Sequence, residues 1–443
     1  MTEIGPEHPL TFRAEVAEPL FKALRSRDSC AVVGAGSMGK SRLVQFLQRD
    51  DVRAYYFKGD PAPPLIVRVD CNRLEELSAL GLFEILLTSL TEACARVEAL
   101  KPLLPQAVEM RNQVIIQGNG LLARRSVELL APMMVQAAGT AVVFLLDEFD
   151  GIYKAVPATV LANLRALRDS VKYELCYVLL LRDHPARLRP PSEVEGFYEL
   201  VAPIVIGLGP LASEDAHRMI AQLSARRKGA PGDAATVVEL SGGHPGLIGA
   251  LWGLAATGEP LTVEHVVEDE LVREECRKLV EGLDEEEQTA LHRVIAGFTG
   301  LEGRSTSPAD PAASLTLKGL LRGERRARSV FSPVLAVYLQ SGADEARETL
   351  MVDLHHREAR LGGRLLDLTP RQFDLLAYLW TNRGRTCPRE HIIEAVWGVN
   401  SDLELDNNRL ETLISDLRRK LEPNPRHPRY ILTVRGIGFK LQI

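Results

Sequence analysis

The chain has 443 residues, of which 46% are hydrophobic and 25% charged, and its formal net charge is −6. That length exceeds what one hydrophobic core serves and predicts about three or four domains, while the acidic balance excludes a protein that coats nucleic acid over its whole surface. Cys30, Cys71, Cys94, Cys176, Cys276 and Cys387 include no C-x-x-C pair, which excludes the common zinc spacings and a dense disulfide framework and predicts small buried thiols.

Up to about residue 207, short apolar runs alternate with longer helical patterns. Strands are predicted at Ser29–Val33, Leu65–Asp70, Thr140–Leu146, Leu175–Leu181 and Ile204–Gly207, with amphipathic helices at Leu80–Leu100 and Leu121–Ala138. This order predicts a parallel sheet with helices on both faces. The runs Ala141–Leu146 and Tyr177–Leu181 fall far short of the roughly 20 apolar residues of a membrane span. No membrane partner is expected. The first ten residues carry no secretory pattern, so a cytoplasmic location is expected.

The first strand runs into Gly34-Ala35-Gly36-Ser37-Met38-Gly39-Lys40-Ser41, a complete G-x-x-x-x-G-K-[ST], which opens the helical stretch Arg42–Gln48. Glycines let such a loop curl so that its N–H groups face phosphate, and the helix N-terminus adds a positive dipole end. Lys40 is expected on the β- and γ-phosphates of ATP or ADP and Ser41 on Mg²⁺. The apolar run ending in Asp147-Glu148-Phe149-Asp150 supplies the complementary acids. Asp147 is assigned to the Mg²⁺ shell and Glu148 to the attacking water, whereas Asp150 is expected as a helix cap or surface acid. The strand Leu175–Leu181 ends in Arg182, placed beside the Asp147 strand and within reach of a γ-phosphate; a local salt bridge is the alternative. Arg165 and Arg168 follow on a helix and read as a solvated face or as groups acting across an oligomer.

From Leu208 the strands stop. Helices at Ser213–Lys228, Ala234–Leu240 and Leu247–Ala255, with the turn Ser241-Gly242-Gly243-His244-Pro245, predict a small lid over 208–267. Residues 268–343 hold helices around Arg273–Glu281 and Glu285–Ala296, a polar loop Gly297–Ala313, a basic turn Arg322–Arg328 and the segment Val330–Leu339, which predict a first winged helix. The last unit, 344–443, begins with strands at Thr349–Leu354 and Arg364–Asp367. A helix starts at Thr369-Pro370-Arg371-Gln372 with a capping box, and a second starts at Thr386-Cys387-Pro388. The third, Asn407–Leu421, buries Leu410, Leu413, Ile414, Leu417 and Leu421 and carries Arg409, Arg418, Arg419 and Lys420 elsewhere. A hairpin, Tyr430–Lys440, bears Arg435 at its tip. The predicted class is multidomain: an α/β P-loop NTPase core over 1–207, a helical lid and two winged-helix domains.

Two resemblances sharpen this. Gly34–Ser41, Asp147, Glu148, Arg182 and Gly242-Gly243-His244-Pro245 resemble the STAND class of AAA+-related signalling ATPases. That resemblance implies Arg182 as a sensor, Pro245 against the adenine, and a slow ATPase acting as a switch. The expected N-terminal signature is blurred to Phe12-Arg13-Ala14-Glu15, and no lid arginine resembles the sensor of motor-type relatives. Residues from about 350 to 443 resemble the effector domain of OmpR/PhoB response regulators. This implies double-stranded DNA as partner, with Arg409, Arg418, Arg419 and Lys420 on groove or phosphate and Arg435 on the wing. Leu413 and Asp416 depart from that pattern, since many relatives place polar or basic residues there. The leading expectation is an ATP switch controlling DNA binding, a homo-oligomer in its ATP state, with a protein trigger. Two alternatives are an ATP-dependent assembly on DNA and an immune-type signalling ATPase whose winged helices bind protein.

Overall fold

Wholly apolar strands need cover on both faces, and here they receive it. The computed structural model describes residues 8–227, 233–297, 310–323, 328–348, 350–354, 357–361, 364–398, 403–422, 428, 430–434 and 437–441, arranged as two compact units, Met1–Tyr338 and Leu339–Ile443. In the first, strands β1 (Cys30–Val33), β2 (Leu65–Asp70), β3 (Val142–Asp147), β4 (Leu175–Leu181) and β5 (Val205–Gly207) form one parallel sheet in the order β2-β3-β4-β1-β5. Every residue of β1, β3 and β4 is buried. Helices Ala79–Arg96 and Gly120–Ala138 contribute Leu82, Leu86, Leu90, Val127 and Leu130 to the main core.

The register decides where the chemistry lies. Asp70 pairs with Asp147 across β2 and β3, Phe149 N donates to Leu180 O, and Gly34 N donates to Leu181 O. The strand ends therefore share one edge, beside the junction where β1 inserts between β4 and β5, the place α/β sheets hold ligands.

Past β5, helices Ser213–Arg227, Ala234–Ser241 and Pro245–Thr257 pack together, followed by Glu270–Glu281, Glu285–Ile295, Pro311–Leu317, a short ribbon β6 (Leu321–Arg322) with β7 (Ser329–Val330), and Pro333–Glu348. The turn at Gly242 and Gly243 needs left-handed backbone (φ 59° and 86°), and a Cβ would stand 2.2 Å from Phe331 O at the first and 2.4 Å from Leu211 O at the second. Much of the polar loop after Gly297 and of the basic turn after Arg322 lies outside the described residues.

The second unit carries an antiparallel sheet of β8 (Leu350–Asp353), β9 (Glu358–Leu361) and β10 (Arg364–Leu365). Helices Pro370–Thr381, Arg389–Trp397 and Leu403–Leu421 follow, with a second sheet in the order β11 (Thr386–Pro388), β13 (Gly438–Leu441), β12 (Ile431–Val434). Thr369 and Gln372 make the expected capping box. Thr386–Pro388, expected as a helix start, is instead a strand paired to β13, and the helix begins at Arg389 without a side-chain cap. All six cysteines are buried and free. Among the described residues no helix is long and apolar enough to cross a membrane.

Candidate nucleotide and nucleic-acid sites

The loop from Gly34 to Lys40 caps β1 and opens the helix Lys40–Leu47 with Gly39 in left-handed backbone, φ 89°. Ser37 shares that region at φ 56°. The N–H groups of Ala35, Gly36, Ser37, Met38 and Gly39 donate to no protein acceptor among the described residues. Successive N–H groups in mixed right- and left-handed backbone form a concave anion nest. Lys40, 7% exposed, folds back to donate to Gly34 O at 2.9 Å. Burial lowers its pKa, and the charges of Glu148, Asp150 and Asp147 oppose that shift.

A cleft of about 750 Å³ opens over this loop, lined by residues from Ala35 through Arg42, by Glu148 and Arg182 from the sheet edge, by Met219, Pro245 and Gly246 from the helices Ser213–Arg227 and Pro245–Thr257, and by Lys278, Glu281 and Gly282 at the end of Glu270–Glu281. The size suits a small-molecule site. Ser41 is exposed to the cleft and Pro245 lies against the loop, 3.8 Å from where a Cβ at Gly39 would stand.

Asp147 ends β3 and is 2% exposed. Its Oδ2 accepts from Arg68 at 2.9 Å, while Oδ1 is buried with no hydrogen-bond partner among the described residues. Burial raises its pKa, against the pull of Arg68. A buried oxygen without a proton donor is costly in water-free surroundings and is the group a hard divalent cation satisfies. The donor set therefore fits Mg²⁺ through Asp147 and Ser41. Glu148 takes left-handed backbone at φ 53°, an uncommon conformation for a non-glycine residue. Its Oε2 accepts from Arg182 at 3.0 and 3.3 Å. Asp150 differs from expectation: instead of capping a helix, its Oδ1 accepts from Arg182 N at 2.8 Å, its Oδ2 lacks a hydrogen-bond partner among the described residues, and burial raises its pKa.

Around the loop, Arg13 and His244, marked in the sequence only as members of their motifs, make contacts that the sequence did not foretell, and Arg68 was missed. Arg13 is 1% exposed and does not line the cleft. Its guanidinium bonds to Met38 O and, at 2.7 Å, to Gly209 O, while its N–H donates to Asp215 at 2.9 Å. The sequence marked it only within the blurred signature Phe12-Arg13-Ala14-Glu15. His244 is fully buried, and its Nδ1 accepts from Leu247 N at 3.1 Å, so Nε2 carries the proton it donates to Gly36 O at 3.2 Å. Burial depresses its pKa to about 4, which keeps it neutral. Arg68 was foreseeable only as a charge interrupting the apolar run of β2. Arg165 and Arg168 both pair with Asp169 on their own helix.

In the second unit, the helix Leu403–Leu421 buries Leu410, Ile414, Leu417 and Leu421 and leaves Leu413 partly buried against the same core. Arg409 and Arg419 are exposed, the latter paired with Asp416. Arg418 and Lys420 are committed inward. Arg418 donates to Ile431 O at 3.0 Å and Thr433 Oγ1 at 2.8 Å, and Lys420 to Asp367 O and to Gln372 Oε1 at 2.9 Å. Arg435 lies outside the described residues.

Residues 363–441 match the family described as "Transcriptional regulatory protein, C terminal". These residues are an OmpR/PhoB-type regulator domain. The probable transcriptional regulator ycf27 of Cyanophora paradoxa is 33% identical over 155 residues, 35% of this chain and 64% of that protein. Transcriptional regulatory protein PrrA of Mycobacterium leprae is 45% identical over 94 residues, 21% of this chain and 39% of that protein. The chain thus spans less than two thirds of either relative. Among solved structures, the DNA-binding domain of RstA from Klebsiella pneumoniae, in complex with the RstA box, is 32% identical, covering 21% of this chain and 90% of that one at a TM-score of 0.20. A Walker-type ATPase of Pyrococcus abyssi is 15% identical, covering 75% of this chain and 98% of that one at a TM-score of 0.47.

Proposed function

We propose that the chain is an ATP-binding and slowly hydrolysing switch of STAND type that controls DNA binding by the regulator domain, and so acts as a transcriptional regulator. The observation that carries this is one chain holding both a phosphate nest, with Lys40 and the partnerless Asp147 Oδ1 beside it, and a C-terminal domain of the transcriptional regulatory family.

In this reading the N–H groups of Ala35–Gly39 and the Lys40 ammonium bind the phosphates, Ser41 and Asp147 hold Mg²⁺, and Pro245 packs on the base. The cation would neutralise phosphate charge. Arg182 holds Glu148 while no γ-phosphate competes for it; transfer of the guanidinium to that phosphate frees Glu148 to take a proton from water. The lid and residues 268–343, the latter proposed as a first winged helix, close over the cleft through Pro245, Gly246 and Lys278. ATP would shift this packing, and the chain would self-associate, only by as much as it binds the two forms differently. On the regulator domain, Arg409, Arg419 and the wing residue Arg435 are the proposed contacts to groove and phosphate, with Arg418 and Lys420 supporting the helix that presents them.

Titration with a fluorescent ATP analogue tests the first half: saturable, Mg²⁺-strengthened binding that Lys40→Ala removes is expected. No binding to the wild type would end the proposal.

A further inference from the structure

Alternate carbonyls of the phosphate-binding loop are each held by a side chain from a different place. Gly34 O accepts from Lys40 of the loop itself, Gly36 O from His244 of the lid, and Met38 O from Arg13 of the N-terminal segment. The peptide unit is planar, so a carbonyl and the N–H that follows it point in opposite directions. Fixing the carbonyls of Gly36 and Met38 therefore aims the N–H groups of Ser37 and Gly39 the other way, and both residues line the cleft. The tie at Gly34 is temporary if Lys40 turns to a phosphate. The other two are not, because neither Arg13 nor His244 lines the cleft.

We propose that His244 and Arg13 are positioning residues that hold the loop in its anion-binding shape, so that nucleotide affinity depends on the lid and the N-terminal segment being docked. This rests on the nucleotide-binding proposal and deepens it: the lid sets the donor geometry of the loop as well as covering the base. Both side chains are built for the task. His244 is clamped on both ring nitrogens, which fixes its tautomer, and Arg13 is anchored at once to Gly209 O and through its own N–H to Asp215. A loop whose N–H groups are aimed beforehand loses less freedom on binding than one that must be ordered by the ligand.

The two nitrogens of His244 do separable things, and two substitutions divide them. His244→Asn keeps an acceptor near Nδ1 for Leu247 N but cannot reach Gly36 O, whereas His244→Gln places an amide N–H near Nε2 and loses the cap. Binding of Mg²⁺-ADP by calorimetry and the melting temperature without nucleotide are measured on the full chain. The expected result is crossed. His244→Asn weakens ADP binding about tenfold, and His244→Gln stays within about threefold of wild type. The melting temperature falls more for His244→Gln, which lacks the helix cap. Arg13→Gln, an independent arm should neither histidine variant fold, is expected to weaken ADP about tenfold as well. Affinity and melting temperature falling in parallel in the two histidine variants would overturn the inference, as would unchanged ADP affinity in His244→Asn and Arg13→Gln. A wild type that fails to bind ADP would instead overturn the nucleotide-binding proposal beneath it.

Discussion

Lys318→Met should destabilise the first unit more than any surface substitution, because its ammonium is enclosed. Lys318 and Glu287 are both 0% exposed, with Nζ 2.7 and 2.9 Å from the two Glu287 oxygens and 3.0 Å from Asp183 Oδ2. Ser314 Oγ also donates to Glu287 at 2.6 Å, and Arg187 stands 3.5 Å from Asp183. At such separations each attraction is worth about 5 kcal/mol before desolvation, at an effective dielectric near 20. Desolvation offsets most of that while the pair is intact, but removal of Lys318 leaves the buried Glu287 carboxylate with only Arg187, 3.8 Å away, as counter-charge, a loss of about 3 kcal/mol. Replacing both partners is far milder, so Lys318→Met with Glu287→Gln should recover to within about 2 kcal/mol of wild type. Urea unfolding followed by circular dichroism and by fluorescence of Trp252, which lies in the first unit, measures both. A single-variant loss under about 1 kcal/mol, or a double variant no better than the single, would refute the reasoning. The cluster also sits at a joint: Asp183 follows Arg182 at the cleft, and Glu287, Ser314 and Lys318 belong to the helices Glu285–Ile295 and Pro311–Leu317 and the residue that ends the latter.

Other outcomes follow from the same geometry. Asp147→Asn should leave Mg²⁺-free ATP binding near wild type and abolish the increment that Mg²⁺ adds, which nucleotide titration with and without the metal would read. His244, with its pKa depressed to about 4 from 6.5, contributes stability that is present above 6.5 and lost as pH falls through 4. By pH 5 that loss is about 2 kcal/mol, and the difference in urea stability between pH 7 and pH 5 should shrink in His244→Asn. Arg419→Ala should weaken DNA binding similarly for all sequences and lower the salt slope by about one, whereas Arg418→Ala should lower the melting temperature of the regulator domain; filter binding across salt and calorimetry distinguish them.

The strands and the loop between β1 and the helix Lys40–Leu47 were legible because their signals are contiguous. All five strands of the parallel sheet lie where the apolar runs placed them, and the loop motif names its own neighbours. The pairing of β3 with β4, which sets Arg182 beside Glu148, also followed from the run ends. What escaped was non-local. Arg13 meets Met38 across 25 positions, His244 meets Gly36 across 208, and Lys318 meets Asp183 across 135. No period or spacing records such contacts. The helix Leu104–Gln117 went unnamed because its apolar pattern is broken by exposed Ile115 and Ile116. Strand β9 was hidden by the charges of Glu358 and Arg360. Arg418 and Lys420 read as a basic face because their acceptors, Ile431 O and Asp367 O, come near only once the hairpin and the first helix of the regulator domain have folded onto theirs.

Whether the proposed nucleotide site governs the regulator domain is tested most directly by DNA affinity of the full chain at one salt concentration with ATP, with ADP and in Lys40→Ala. The affinity should differ between ATP and ADP in the wild type, and the Lys40→Ala variant should show one affinity whichever nucleotide is added. Equal affinity in all four measurements would contradict the coupling.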